Sequence, residues 1–223
     1  MNRRELLART ALLGLGATVG SKLTLRSRAA IAAPDPAAAL AQVSKTILVK
    51  DVHGVPAAPV STVKLSEGEL AKIKGMNATA AIIMHYGGND WSRAQIQALQ
   101  TQFASMGIKV IAVTDAGFKA EKQVSDIETV LAQKPNIIIG VPVDPEATAR
   151  AFKTAAEQGV KIVLANFAPN GLAAGKDYVS VVSADEYGNG IASALLLVQA
   201  VGGKGEVGLV YHAADFQVTR QRY

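Results

Sequence analysis

The sequence contains no cysteine and only three histidines, so two common sources of catalytic and metal-binding side chains are scarce. The absence of cysteine excludes disulfides, thiolate metal sites and cysteine nucleophiles. The histidines, His53, His85 and His212, do not stand at metal-ligand spacing. A G-x-x-x-x-G-K-[ST] phosphate loop and a G-x-S-x-G nucleophile elbow are also missing. We therefore predict a protein that is not an enzyme and that uses neither a metal nor a cofactor.

A glycine-rich segment at 203–208 does fit the dinucleotide pattern G-x-G-x-x-G. It stands before an apolar run, whereas the dinucleotide loop follows a strand and opens a helix. The helix N-terminus that would hold the phosphate is missing, so a helix-to-strand turn is the better interpretation. A Rossmann-like enzyme is disfavoured for this reason.

Basic residues slightly outnumber acidic ones, and most of this excess lies at the N-terminus. The sequence holds 23 basic and 18 acidic residues, of which six basic and two acidic ones lie in residues 1–41. The remainder has 17 basic and 16 acidic residues, so it is nearly neutral. A nearly neutral body offers no electrostatic surface for phosphate backbones, and no nucleic-acid partner is predicted.

Residues 1–41 have the order of a secretory signal peptide. The start is positive, a mild apolar run follows, and small-residue cleavage sites stand at 30–32 and 39–41. The paired Arg3 and Arg4 resemble the twin-arginine export signal. The apolar run is too short to span a bilayer. We predict export to the periplasm by the twin-arginine route; the alternative is an N-terminal helix that stays attached.

Residues 42–77 form a predicted N-terminal extension, and from residue 78 onward apolar runs alternate with amphipathic patterns. Five apolar runs predict strands, at 80–84, 110–113, 137–139, 162–165 and 178–182. Strands that alternate with helices imply right-handed crossovers and a parallel sheet covered on both faces. The predicted fold class is therefore α/β, with a doubly wound parallel sheet.

Two helix starts and one further strand can be predicted in the region from residue 78 onward. Ser92 begins a capping box, S-R-A-Q, ahead of an apolar helix face. Asp144, followed by proline, opens a later helix and is better interpreted as its cap than as a ligand. A last strand is predicted at 207–211, and no helical pattern follows to cover it. We predict a nearly complete first lobe at 78–185 and an incomplete second lobe at 186–223.

Polar and aromatic side chains follow the strands of the predicted sheet. Asn89, Asp90 and Trp91 come after the first strand, Asn166 follows the fourth, and Arg220 follows the last. Ligands of open parallel sheets bind at the carboxyl ends of the strands. Amide, carboxylate, indole and guanidinium groups suit a solute with many hydroxyls.

Each of these residues also has a structural interpretation. Asp90 could cap a helix, and Trp91 could serve only as a hydrophobic staple for the helix that follows. Asn166 could be a turn residue, and Arg220 could be a solvated charge on a helix. These alternatives stay open at the level of sequence.

From Ala78 to its end the sequence resembles the sugar-type periplasmic binding proteins of ABC importers, the ribose-binding-like group. Five segments carry the resemblance, at 89–91, 141–144, 166, 183–185 and 219–222. It implies a type I fold of two lobes that clamp a solute by hinge closure, with a membrane permease as partner. Asn89 and Trp91 resemble first-lobe contacts, and Arg220 resembles the second-lobe guanidinium. Asp185, at the crossover between lobes, completes the candidate solute-binding set.

The sequence departs from this family in two ways. Many relatives carry Asp-Arg after the fourth strand where this chain has Asn166 and Phe167, so the solute is expected to be a sugar or a related polyol. Relatives also continue well beyond this length, so the chain resembles a C-terminally truncated product. The runner-up is the effector-binding core of a LacI-like transcriptional regulator. That class needs an N-terminal helix-turn-helix, and residues 1–41 carry an export signal instead.

Overall fold

A computed structural model describes residues 35–50, 54–210 and 217–222, so most of the predicted signal peptide lies outside the described residues. The helices are α1 Pro36–Val43, α2 Glu67–Gly75, α3 Asp90–Ser105, α4 Ala120–Leu131, α5 Ala149–Glu157, α6 Glu186–Ala200 and α7 Gln217–Arg222. The strands are β1 Thr79–Met84, β2 Lys109–Asp115, β3 Ile137–Gly140, β4 Lys161–Ala165 and β5 Ser180–Val182. Within these ranges no helix is both long enough and apolar enough to cross a bilayer.

The five strands form one parallel sheet in the order β2-β1-β3-β4-β5. This confirms the predicted doubly wound α/β fold, and each strand falls on its predicted apolar run. The chain builds the sheet first to one side of β1 and then to the other. Ile83 of β1 lies opposite Thr114 of β2 and Gly140 of β3. This reversal of strand order is the topological switch point, where ligands of such sheets bind.

One face of the sheet is covered by α4 and α5. Ile83 and Ile138 project from the strands onto Ile127 of α4 and Phe152 of α5, and all four are fully buried. Helix α5 lies close to the sheet because Gly140 has no side chain: a Cβ there would come within 2.7 Å of the Phe152 ring. Burying a large apolar side chain stabilises a fold by about 1.5–3 kcal/mol, so this cluster dominates the energetics of that face.

The opposite face is covered by α3 and α2. Ile82 and Met84 alternate with the residues of the first face and pack with Phe103 of α3 and Ile108. Ile73 of α2 is partly buried against the same cluster. Side chains of a strand alternate between faces, so the continuous apolar run of β1 supplies both layers.

The N-cap of helix α3 lies three residues earlier than predicted. Asn89, with extended backbone angles, is the N-cap, and its Oδ1 accepts a hydrogen bond of 2.8 Å from the Ser92 N–H. The capping-box prediction at Ser92 is therefore wrong. Both residue types are good caps, but Ser92 is buried in the first turn, and its hydroxyl has no hydrogen-bond partner among the described residues.

Helix α5 also differs from its prediction at the start. Asp144 Oδ1 accepts hydrogen bonds from the N–H groups of Glu146 at 2.9 Å and Ala147 at 2.7 Å. It caps a turn at 145–148 rather than the helix itself, which begins at Ala149. The cap interpretation of Asp144 holds for this turn, and the predicted helix start was four residues too early.

The predicted strand at 207–211 is not formed in its described part. Residues 207–210 have no regular structure, and Val207, Leu209 and Val210 are exposed. A strand needs a partner for its backbone groups, and none of the described strands lies beside this segment. Helix α6 contacts α1 and α7 but no described strand.

Candidate functional site

The candidate site lies at the carboxyl edge of the sheet, above the switch point at β1. The loop at 85–89 leaves β1, and the loop at 141–148 leaves β3, so the two loops border the crevice. Asn166 follows β4, which is two strands from β1. Because neighbouring strands are 4.7–4.9 Å apart, these strand ends are about 10 Å from each other.

Four rings form a cluster at this edge. His85 meets Trp91 edge-on with ring centroids 6.0 Å apart, and it meets Phe118 edge-on at 5.2 Å. Tyr86 stacks on Phe118 with centroids 4.8 Å apart. Trp91 is 46% exposed and Phe118 is 42% exposed. Exposed aromatic faces beside a crevice are suited to the C–H surface of a sugar or polyol ring.

Two glycines let the loop after β1 lie close to its neighbours. A Cβ on Gly87 would come within 2.9 Å of the Asp115 carboxylate, and one on Gly88 would overlap the Tyr86 hydroxyl. The Phe118 N–H donates a hydrogen bond of 2.8 Å to the His85 carbonyl. The loops after β1 and β2 are thus bound to each other, and the ring cluster is held as one surface.

His85, which contacts both Trp91 and Phe118, is half-buried. Its Nδ1 is buried and has no hydrogen-bond partner among the described residues. Burial lowers the pKa of the imidazole below its ordinary value of 6.5, while the Asp115 carboxylate acts in the opposite direction and raises it. The neutral imidazole is therefore the form that this packing favours at neutral pH.

A buried glutamine fixes the loop that leaves β3. Gln123 of α4 donates from Nε2 to the Val141 carbonyl at 2.8 Å, and its Oε1 accepts from the Val143 N–H at 2.8 Å. Both ends of one side chain thus satisfy two backbone groups of the loop at 141–148. Sequence reasoning missed this residue, because a polar residue on the buried side of α4 gives no periodic signal of its own.

The residues predicted after β1 are at the crevice, and two of them have structural partners. Asn89 caps α3 through Oδ1. Asp90 is the first residue of α3, is exposed, and pairs with Arg93. Trp91 belongs to the ring cluster. Sequence reasoning missed the other rings; His85 and Tyr86 directly follow a buried strand and precede two glycines, a signal that could have identified them.

Asn166 lies where β4 ends and adopts a left-handed backbone, with φ of 72°. Its N–H donates to the Val182 carbonyl at 2.9 Å, which ties the end of β4 to the end of β5. Asparagine is one of the few residues that tolerate this conformation. The turn interpretation of Asn166 therefore has structural support, and its half-buried side chain remains at the carboxyl edge.

The two remaining candidates lie beyond β5. Asp185 caps α6: its Oδ1 accepts from the Gly188 N–H at 3.0 Å, and its Oδ2 accepts from the Leu48 N–H at 2.6 Å. Arg220 is on α7, which contacts α6 and no described strand. The structure therefore brings Asn89, Asp90, Trp91 and Asn166 to one edge, whereas Asp185 lies in the link between β5 and α6 and Arg220 lies on α7.

The sequence from residue 80 to residue 223 matches the periplasmic binding protein domain, and the chain belongs to this family. No curated protein matches the chain. The described residues include no group of three acidic or histidine side chains placed to hold a metal ion.

Several solved structures have the same fold. An ABC sugar transporter subunit from Rhodobacter sphaeroides 2.4.1 is 26% identical, with a TM-score of 0.56 over 66% of this chain and 49% of its own. An ABC transporter periplasmic solute binding protein from Actinobacillus succinogenes 130z, with bound D-allose, is 24% identical, with a TM-score of 0.58 over 65% of this chain and 52% of its own. The chain thus spans about half the length of these structures.

Proposed function

We propose that this protein is the periplasmic solute-binding component of an ABC importer, and that its solute is a sugar or a polyol. The carrying observation is the ring cluster at the switch point of a doubly wound sheet, in a chain of the periplasmic binding protein family. The similar subunit from Rhodobacter sphaeroides is named as part of a sugar transporter. A membrane permease is the partner that such a component requires.

In this proposal the solute ring stacks on Trp91, and the polar groups of the edge bind its hydroxyls. Asn89 and Asp90 act from the start of α3 and Asn166 from the end of β4. Arg220 contacts the solute from the second lobe when the lobes close, and Asp185 acts at the crossover. Planar amides and carboxylates form paired hydrogen bonds with neighbouring hydroxyls, which gives specificity to an otherwise apolar surface.

The single tryptophan of the sequence provides a direct test. Since Trp91 is the only indole, its fluorescence reports on this edge alone. Titration of the purified protein with D-allose, D-ribose and myo-inositol, each to millimolar concentration, is expected to change the emission saturably for at least one of them. No saturable change with any sugar or polyol would contradict the proposed site.

Substitution then tests the contact itself by calorimetry. Trp91→Ala is expected to remove about 1–3 kcal/mol of affinity, a weakening of Kd by roughly 5- to 150-fold. Tyr187→Ala is the matched control, because Tyr187 is an exposed aromatic on α6, which does not contact the sheet. Equal losses in the two variants would place the solute elsewhere.

The family match and the similar transporter subunit favour a transport component over the effector core of a LacI-like regulator. Export is the remaining part of the proposal. Arg3→Lys with Arg4→Lys is expected to abolish periplasmic recovery, because the twin-arginine route reads the pair itself. Arg26→Lys with Arg28→Lys is the control and should be exported normally. Normal export of the first variant would rule out this route.

A further inference from the structure

The N-terminal segment ahead of the family match packs against α6. On α1 the half-buried residues are Pro36, Ala39, Leu40 and Val43, at the spacing of one helix face. Helix α1 contacts α6 and no other described element. Part of α6 is therefore covered by a segment that lies outside residues 80–223, where the family match is found.

A long-range hydrogen bond joins the same segment to the start of α6. The Leu48 N–H donates to Asp185 Oδ2 at 2.6 Å, across 137 positions of sequence and in a partly buried setting. The other carboxylate oxygen caps the helix through the Gly188 N–H. A hydrogen bond to an ionised carboxylate is about twice as strong as a neutral one, so a single side chain holds both partners firmly.

The segment is also connected to the sheet. Helix α2, which follows it in the chain, places Ile73 against the core cluster of α3. A Cβ on Gly107, in the turn after α3, would be 3.3 Å from the Lys74 backbone, so α2 lies close to that turn. Helix α6 has its described contacts with α1 and α7 and is joined to β5 by the link at 183–185.

We propose that export cleaves the chain at the 30–32 site and not at 39–41, and that residues 35–50 of the mature chain form a strap that holds α6 in position across the link at 183–185. Asp185 is the residue that fastens it. The strap binds α6 through the face of α1 and through Leu48, and α2 anchors it to the sheet. One consequence rests on the proposed function: if the link is the hinge of the receptor, closure must move the strap or release it.

Amide hydrogen exchange without any solute tests the strap by itself. Asp185→Ser keeps a side chain that caps α6, since serine and aspartate are comparable N-caps, but it is too short to reach Leu48 as well. Exchange in α6 is expected to become about tenfold faster in this variant, while the β1 amides keep their protection. Unchanged exchange in α6 would overturn the proposal.

A second variant approaches the strap from its other end. Leu40→Asp places a charge in the half-buried face of α1 and is expected to speed exchange in α6 similarly, whereas Gln42→Asp, on the exposed face, should not. In the double variant Leu40→Asp with Asp185→Ser, exchange in α6 should be only as fast as in the faster of the two single variants, because both substitutions release the same strap. Fully additive effects, or equal effects of Leu40→Asp and Gln42→Asp, would overturn it.

The hinge consequence has its own readout. For whichever of D-allose, D-ribose and myo-inositol changes Trp91 fluorescence saturably, Leu40→Asp, which lies outside the proposed solute site, is expected to shift Kd at least threefold, and Gln42→Asp should leave it unchanged. An unchanged Kd in Leu40→Asp would remove the hinge consequence. Absence of binding in the unsubstituted protein would count against the proposed function, while the exchange experiments would still decide on the strap.

Discussion

The sheet region at 78–165 and the carboxyl-terminal region at 180–222 are both rich in apolar residues, yet only the first buries them. Ile82 and Ile83 of β1 have no exposed surface, whereas Val182 of β5 is 60% exposed and Leu196 of α6 is 52% exposed. In the first region each apolar run meets a neighbouring strand and a covering helix. In the second, the contacts of α6 within the described part of the chain are with two short helices, α1 and α7. Apolar sequence produces a core only where partners surround it.

The largest expected difference between the two regions is in the cost of removing an apolar side chain. Phe152→Ala empties a fully buried site beside Gly140 and should lower the free energy of unfolding by about 3–5 kcal/mol. Leu196→Ala should change it by less than about 0.5 kcal/mol, because its side chain is half exposed. Urea denaturation measures both. A comparable loss in Leu196→Ala would show that α6 is covered in solution.

The comparison also explains which parts of the fold could be predicted from sequence. Strands β1 to β4 were predicted because buried parallel strands are continuous apolar runs, a local property. The run at 207–211 has the same local property and was predicted as a strand, but pairing depends on a distant partner that sequence does not reveal. Phe118 was missed for a similar reason, since it lies in a turn with φ of 60° and joins the ring cluster only through tertiary structure.

The next prediction compares a buried glutamine of α4 with an exposed glutamine of α3. Gln123→Leu keeps the side-chain size but leaves the Val141 carbonyl and the Val143 N–H without their buried partner. The expected loss is about 2–4 kcal/mol, since each unsatisfied buried group costs about 1–3 kcal/mol. Gln100→Leu, the same change at an exposed position of α3, should be nearly neutral. Similar midpoints of urea unfolding in the two variants would contradict the conclusion that Gln123 fixes the loop at 141–148.

A smaller effect concerns the start of α3. Asn89→Ala removes the observed cap and should cost about 0.5–2 kcal/mol, while Asn89→Asp should retain most of the stability. Ser92→Ala should be neutral or slightly stabilising, because its buried hydroxyl has no partner in the described part of the chain. Thermal unfolding of the three variants measures this order. A larger loss of stability in Ser92→Ala than in Asn89→Ala would show that Ser92, and not Asn89, caps the helix.

The smallest effect is confined to acidic pH. Burial lowers the pKa of His85 in the folded state below its ordinary value of 6.5, so the unfolded chain binds a proton more readily. Stability is therefore full above about pH 6.5 and falls as the pH drops from there through the folded-state pKa. His85→Phe should remove this part of the pH dependence, and His53→Gln should keep it. Identical pH profiles of unfolding for His85→Phe and the unsubstituted protein would contradict this assignment.

The hydrogen bond between Leu48 and Asp185 also has a consequence for the order in which the chain folds. The chain must close a loop of more than a hundred residues before this contact forms, and contacts of high sequence separation form late because the loop entropy is lost first. Leu48 leaves the ribosome long before Asp185 does, so the amino-terminal segment has to wait until the sheet is built and α6 has been synthesised. We expect it to be the last piece to join during folding and the first to detach during unfolding.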